Sequence, residues 1–171
     1  MSKLHQFAWL SLVLNLLGYV THWGSVFSLL GFIATIFLYL QFERRHFVDK
    51  IVKLYVITSV LMTLSLFLAA AAYIIQVRTQ VMSIGSISLL IVAYLVGLGA
   101  AFLTYKLSTK VHLIAEHCNS KAFRIASILF KISAYTMPLI VGILIQAIAQ
   151  LAVLIAAIIY KPGVSAQTIS Q

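Results

Sequence analysis

Long apolar runs separated by short polar segments dominate the chain. Four of these runs cover residues 4–20, 26–42, 51–75 and 83–105, and a longer one covers 122–160. A helix rises about 1.5 Å per residue, so a run of about 20 residues matches the ~30 Å hydrocarbon core of a bilayer. The pattern therefore predicts an all-α protein that crosses a membrane several times.

The last apolar run is too long for a single crossing. As one helix, residues 122–160 would extend for ~60 Å. Pro138 is the natural break, because proline lacks a backbone N–H and clashes with the preceding helical turn. We therefore expect one helix over 120–136, at or entering the membrane interface, and a final span over 137–160.

The predicted fold is one membrane domain, residues 1–171. It is a polytopic helical membrane protein with about five transmembrane helices, plus a cytoplasmic or interfacial helix before the last span. We expect the spans at about 4–20, 26–42, 51–75, 83–105 and 137–160. The cytoplasmic segments are expected at 43–50 and 106–136, and a short outside tail at 161–171.

The lysines and arginines fall unevenly on the two sides of this topology. Only Arg78 and Lys161 lie on one side. The other ten lie on the N-terminal side: Lys3, Arg44, Arg45, Lys50, Lys53, Lys106, Lys110, Lys121, Arg124 and Lys131. Cytoplasmic loops are enriched in Lys and Arg. The split predicts a multi-pass cell membrane protein with a cytoplasmic N-terminus and its C-terminus outside.

Composition agrees with a membrane rather than a soluble protein. Hydrophobic residues make up 63% of the chain and charged residues 9%, with a formal net charge of +9. Soluble domains carry roughly 25% charged residues. The basic residues lie at the edges of apolar runs, which argues against nucleic acid as a partner.

A cytoplasmic basic belt is the first candidate site. Such a belt attracts anionic lipid headgroups at about 1 kcal/mol per charge, although the same residues also serve as topology signals. Its members are Arg44, Arg45, Lys50, Lys53, Lys121, Arg124 and Lys131.

Two further sets of residues lie within the predicted spans. Ala93, Gly97 and Ala101 form a ridge of small residues on which another helix can pack closely. The second set is polar, and either makes interhelical hydrogen bonds or lines a polar path. It comprises Asn15, Thr58, Thr63, Gln146 and Gln150.

Catalytic and metal chemistry has little support in the sequence. No Asp or Glu lies within a predicted span, which disfavours proton-coupled and many cation-coupled carriers. His112, Glu116, His117 and Cys118 are metal-ligand types, but one helical segment cannot converge three or four of them. We expect no catalytic residue, no metal and no cofactor.

Two segments carry a resemblance to a family. Residues 24–33 with 44–48 resemble the first helical hairpin of an uncharacterised family of small archaeal and bacterial multi-span membrane proteins. Residues 122–132 with 138–143 resemble its last span. The resemblance implies a prokaryotic cell membrane and an unassigned function, and it transfers no site residues.

These observations predict a non-enzymatic integral membrane protein. The leading hypothesis is an accessory subunit or helix-packing scaffold, with the lipid bilayer and other membrane helices as partners. The alternative is a small channel or carrier for a neutral or anionic solute, lined by Ser, Thr and Gln side chains.

Overall fold

A computed structural model describes residues 3–20, 22–80, 83–137 and 141–160. Over these residues the chain forms helices and no strands, which confirms the predicted all-helical class. The helices are α1 (Lys3–Val20), α2 (Gly24–Arg44), α3 (Ile51–Thr79), α4 (Ile84–His117), α5 (Lys121–Thr136) and α6 (Val141–Ile159).

Four of the described helices are long and apolar enough to cross a membrane, namely α2, α3, α4 and α6. This is compatible with a multi-pass membrane protein. The first predicted span corresponds to α1, which has 18 residues and is not among these four. Its polar residues include His5, Gln6 and Asn15.

The fourth helix continues twelve residues beyond its predicted end at residue 105. Nothing in this charged extension breaks a helix, so α4 runs on to His117. It ends where Asn119 adopts the left-handed conformation with φ 44°. The Ser120 N–H then donates to the carbonyl of Ala115 at 3.0 Å, as helix C-caps commonly do.

The segment after α4 folds into a helix that matches the predicted one. Its buried residues recur at helical spacing along one face and end with Ser133 and Ala134. The predicted break at Pro138 lies outside the described residues.

Consecutive helices pack antiparallel. In the α1–α2 hairpin, the hydroxyls of Ser11 and Thr35 lie 2.6 Å apart, and the rings of Phe7 and Phe37 stack with centroids 5.4 Å apart. Glu43 links α2 to α3, because its Oε1 accepts a hydrogen bond from the Val52 N–H at the start of α3.

Helices α5 and α6 form a tight hairpin of the same kind. Ser133 Oγ donates to the carbonyl of Gly142 at 2.8 Å. A Cβ at position 142 would meet the backbone of Met137, so only glycine permits this approach. The hairpin tip therefore depends on the missing side chain.

Helix α6 runs parallel to α4. Thr104 contacts Gln146, and Cys118 contacts Tyr160, with the same spacing of fourteen residues along each helix. The end of α6 thus lies beside the end of α4. This arrangement arises because α5 packs lengthwise against α4 and reverses the chain once more. The predicted outside tail, 161–171, lies outside the described residues.

One hydrophobic core lies at the end of the molecule where α2, α4 and α6 finish; we call this the basic end. Phe42 is fully buried in this core, edge-to-face with Phe123 at a centroid distance of 5.6 Å and next to Phe47 at 6.3 Å. All six helices contribute buried residues to this core, among them Leu4, Leu38, Ile51, Val111, Phe130 and Val153.

The α3–α4 hairpin extends past the tip of the α5–α6 hairpin. Met137, at the end of α5, packs against Ala100, Ala101, Leu61 and Met62. From that level, α3 continues for seventeen residues and α4 for sixteen. The two helices therefore project about 25 Å beyond Met137.

The direction of α6 predicts a specific cross-link. Replacing Tyr160→Cys removes a ring beside Cys118 and leaves two thiols next to each other. At alkaline pH, where thiols are deprotonated, a short bismaleimide should then join them within one chain, seen as a shift in gel mobility. Gln80→Cys, at the far end of α3, is the control and should give no such product. Equal products from both variants would contradict the parallel arrangement.

Candidate functional site

The buried amides of α6 bond to two different helices. Gln146 Oε1 accepts from the Thr104 hydroxyl of α4 at 3.2 Å, and the same hydroxyl lies 2.9 Å from the Ala100 carbonyl. Gln150 Oε1 accepts from the Tyr39 hydroxyl of α2 at 3.2 Å. The two amides therefore tie α6 to α4 and α2 through their carbonyl oxygens.

The Gln150 side chain is only half satisfied. Its Nε2 is buried and has no hydrogen-bond partner within the part of the chain that the structure describes. An unpaired buried donor costs about 1–3 kcal/mol. The Tyr39–Gln150 pair is therefore an incompletely satisfied polar contact.

The other polar residues of the predicted lining bond within their own helices. Asn15 Nδ2 donates to the carbonyl of Ser11 at 2.8 Å. Thr58 and Thr63 each donate to the carbonyl four residues earlier in α3, at 2.8 and 2.9 Å. Thr63 is exposed, whereas Thr58 is buried. The structure therefore does not gather the predicted set into one polar site.

The predicted ridge of small residues is partly used within the chain. Ser65 Oγ of α3 donates to the carbonyl of Ala93 at 2.8 Å. A Cβ at Gly97 would lie 3.2 Å from Ser65 Oγ. Ala101 is buried in the cluster that contains Met137. The ridge thus receives α3 on one side and the tip of α5 on the other.

An apolar cavity of about 260 Å³ remains beside this ridge. It lies between α3, α4 and the tip of the α5–α6 hairpin and is open to the outside of the bundle. Small side chains form much of its wall. Its lining residues are Met62, Ser65, Leu66, Ala69, Leu90, Ala93, Tyr94, Gly97, Leu98, Ala100, Met137 and Ile143.

The predicted basic belt divides into separate groups. Lys50 and Lys53 line one open cleft together with Lys106 and Lys110, two lysines that the predicted site did not include. A spacing of four residues places Lys106 and Lys110 on one face of α4. This spacing is the sequence feature from which both lysines could have been included in the predicted site. Lys131 lines a second cleft. The remaining members, which line neither cleft, are Arg44, Arg45, Lys121 and Arg124.

The second cleft has a volume of about 230 Å³ and lies between α4 and α5. In it, His112 Nδ1 is 3.5 Å from Ser127 Oγ, and His112 Nε2 is 3.5 Å from Glu116. The Ser127 hydroxyl instead donates to the Arg124 carbonyl at 2.9 Å. Ser127 lies mid-helix, where the backbone N–H groups are already bonded, so no oxyanion hole adjoins it.

The cysteine at the end of α4 is buried against Tyr160. Burial raises the pKa of the Cys118 thiol, and the hydrogen bond from Tyr160 opposes that rise. A raised pKa keeps the sulfur protonated at neutral pH, and a protonated thiol is a poor nucleophile. Among the described residues, no group of three or more His, Cys, Asp and Glu side chains could hold a metal ion.

Comparison with known proteins yields no relative. No family model matches the chain, and no curated protein or solved structure matches it either. The resemblance to small archaeal and bacterial membrane proteins stays a prediction.

The contrast between the two amides predicts a difference in stability. Gln146→Leu should lower the free energy of unfolding by only about 0.6 kcal/mol, because Thr104 keeps its bond to Ala100. Tyr39→Phe should lower it by about 1–3 kcal/mol, because both polar atoms of the buried Gln150 amide are then unpaired.

The double variant Tyr39→Phe/Gln150→Leu is the decisive control. Removing both partners should recover most of the free energy of unfolding that the single variant Tyr39→Phe loses, because an apolar pair leaves no polar atom unpaired. Unfolding in mixed detergent micelles measures all three variants. A double variant less stable than Tyr39→Phe would contradict the assignment of a bonded pair.

Proposed function

We propose that this chain is a non-enzymatic, multi-pass protein of the cell membrane that acts as an accessory subunit or helix-packing scaffold. The α3–α4 hairpin is the surface that receives other membrane helices. The lipid bilayer and those helices are its partners, and nucleic acid is not.

The exposure of the α3–α4 hairpin carries this proposal. Only Ile51, Tyr55, Thr58 and Ala72 are buried along the whole of α3. Large apolar side chains are instead exposed on both helices, including Phe67 at 71% and Leu95 at 61%. The hairpin projects about 25 Å past the tip of the α5–α6 hairpin, so neither α5 nor α6 covers its far part.

The cavity beside the ridge supports helix packing as the use of this surface. Lipid is as apolar as leucine, so membrane helices associate through close packing rather than through the hydrophobic effect. Small residues such as Ala69, Ala93 and Gly97 allow a neighbouring backbone to come near. A bulky helix face would pack less closely there.

A solute channel or carrier is the weaker alternative. Its proposed lining, Gln146 and Gln150, is engaged in bonds to Thr104 and Tyr39. Thr58 and Thr63 bond to their own helix. The clefts that contain lysine lie at the basic end and do not continue through the described core.

The distribution of charge supports a cytoplasmic basic end. Lys53 and Lys106 line one cleft, while Arg78 lies near the other end of α3. Positive charge favours the cytoplasmic side. Because the six helices alternate in direction, we infer that Lys3 and Tyr160 both lie on that side, which differs from the predicted outside C-terminus.

Cysteine labelling tests this orientation. In a Cys118→Ala background, Gln80→Cys should react with a membrane-impermeant maleimide added to intact cells. Asp49→Cys should react only after the cells are permeabilised, because it lies between α2 and α3 at the basic end. Labelling of position 49 but not position 80 in intact cells would show that the protein has the opposite orientation.

A matched pair of substitutions tests the assembly surface. Ala69→Phe places a ring in the apolar cavity between α3 and α4. The same change at the exposed neighbour Ala70 does not, because Ala70 does not line that cavity. Ala69→Phe should dissociate the native complex extracted in a mild detergent, measured by light scattering and native mass spectrometry. Ala70→Phe should leave its mass unchanged.

Other outcomes of that experiment are equally informative. A wild-type protein that is monomeric and alone in the extract contradicts the scaffold proposal. Solute flux through liposomes that Gln146→Leu alters, with the mass unchanged, would favour the channel or carrier instead.

A further inference from the structure

An open cleft of about 440 Å³ lies between the start of α3 and the C-terminal part of α4. Four of its seven lining residues are lysines, and no carboxylate lines it. The lining residues are Lys50, Lys53, Leu54, Ile57, Lys106, Thr109 and Lys110. We call this the lysine cleft.

The fold brings these lysines together from two distant segments. Lys50 and Lys53 are three residues apart and Lys106 and Lys110 four, so each pair lies on one side of its helix. The antiparallel hairpin turns the two pairs toward each other. Lys106 also lies over the Phe102 ring, with Nζ 4.5 Å from the centroid.

The positive charge of the cleft is not balanced by the described part of the chain. No ion pair to these lysines occurs among the described residues. Glu43 is engaged elsewhere, as the acceptor of the Val52 N–H at 2.9 Å. Asp49 is exposed and does not line the cleft.

The helix dipole adds to this imbalance. Lys50 and Lys53 occupy the N-terminal end of α3, where the dipole favours an anion and disfavours a cation. Four neighbouring ammonium groups also repel one another. An anion in the cleft would relieve both effects, and a phosphate group would accept hydrogen bonds from several lysines and from Thr109.

The cleft also has an apolar side that adjoins the surface of the hairpin. Leu54 and Ile57 form that side. From there, α3 carries no charged residue until Arg78, and α4 carries none between Ile84 and Tyr105. A ligand in the cleft therefore meets ammonium groups at one end and an apolar helix surface at the other.

We propose that the lysine cleft binds the phosphate of an anionic phospholipid, with the acyl chains lying along the α3–α4 hairpin. This narrows the predicted belt to one cleft on two helices and adds Lys106 and Lys110 to it. The proposal requires only that α3 and α4 cross a bilayer, and it does not depend on assembly with other helices.

Native mass spectrometry of the delipidated full-length protein tests this site. The probes are dioleoylphosphatidylglycerol, dioleoylphosphatidylcholine with the same acyl chains, and inorganic phosphate. The wild-type protein should bind phosphatidylglycerol more tightly than the other two. Lys53→Gln/Lys106→Gln should weaken that binding by about 30-fold, since each surface charge contributes about 1 kcal/mol.

The control variant removes the same amount of charge elsewhere. Lys121→Gln/Arg124→Gln changes two exposed residues of α5 that do not line the cleft, and should alter affinity by less than about threefold. A second variant, Lys50→Gln/Lys110→Gln, should reproduce the 30-fold loss. All four positions are at the protein surface, and circular dichroism verifies that each variant is folded.

Three results would overturn the proposal. An equal loss in the control variant would mean general attraction to positive charge rather than a site. Equal binding of phosphatidylcholine would remove the requirement for an anionic headgroup. Inorganic phosphate bound as tightly as phosphatidylglycerol would show that the acyl chains contribute nothing, and the ligand would then be free phosphate.

Discussion

The packing around Phe42 is the interaction on which the rest of the structure depends. This ring is fully buried, meets Phe123 edge-to-face, and lies in a core to which all six helices contribute. Under the proposed membrane location, lipid provides no hydrophobic force between helices, so close packing and aromatic contact have to hold them together. Because the three hairpins are joined at this end, their far ends need not match in length, and the α3–α4 hairpin can extend past Met137.

The position of α6 follows from the same core and from two amides. Gln146 and Gln150 lie on one side of α6, and their bonds to Thr104 and Tyr39 tie it to α4 and α2. The helices that pack closely against α6 are α5 and α1. A polar side chain at membrane depth must find a partner, and here the partners are other helices of the same chain. The amides therefore act as packing contacts between helices.

Two proposed functional surfaces lie on one hairpin and do not overlap. The apolar cavity uses Ala69 and Gly97 in the projecting part, whereas the lysine cleft uses Lys53 and Lys106 nearer the core. Packing of small residues suits the cavity, and phosphate chemistry suits the cleft. A bound phospholipid and a neighbouring helix could therefore occupy the hairpin together.

The apolar runs by themselves determined that the chain is helical, and they placed most helices well. The expected start of α3 at residue 51 is correct, and the helix expected over 120–136 is α5. The predicted fourth span ends at residue 105, whereas α4 continues for twelve more residues, because an apolar pattern marks where an apolar surface stops and not where backbone hydrogen bonding stops. The spacing of Gln146 and Gln150 showed that the two amides share one face of a helix. It did not show which residues they would bond to.

Only the tertiary structure decided how often the chain reverses and which residues meet. Whether α5 lies flat or packs along α4 depends on contacts such as Tyr105 with Tyr135, which no local pattern contains. The lysine cleft likewise requires the register of α3 against α4, since Lys53 and Lys106 are far apart in sequence. Helix formation is local and can be read from the chain, whereas helix direction and charge clustering arise from packing.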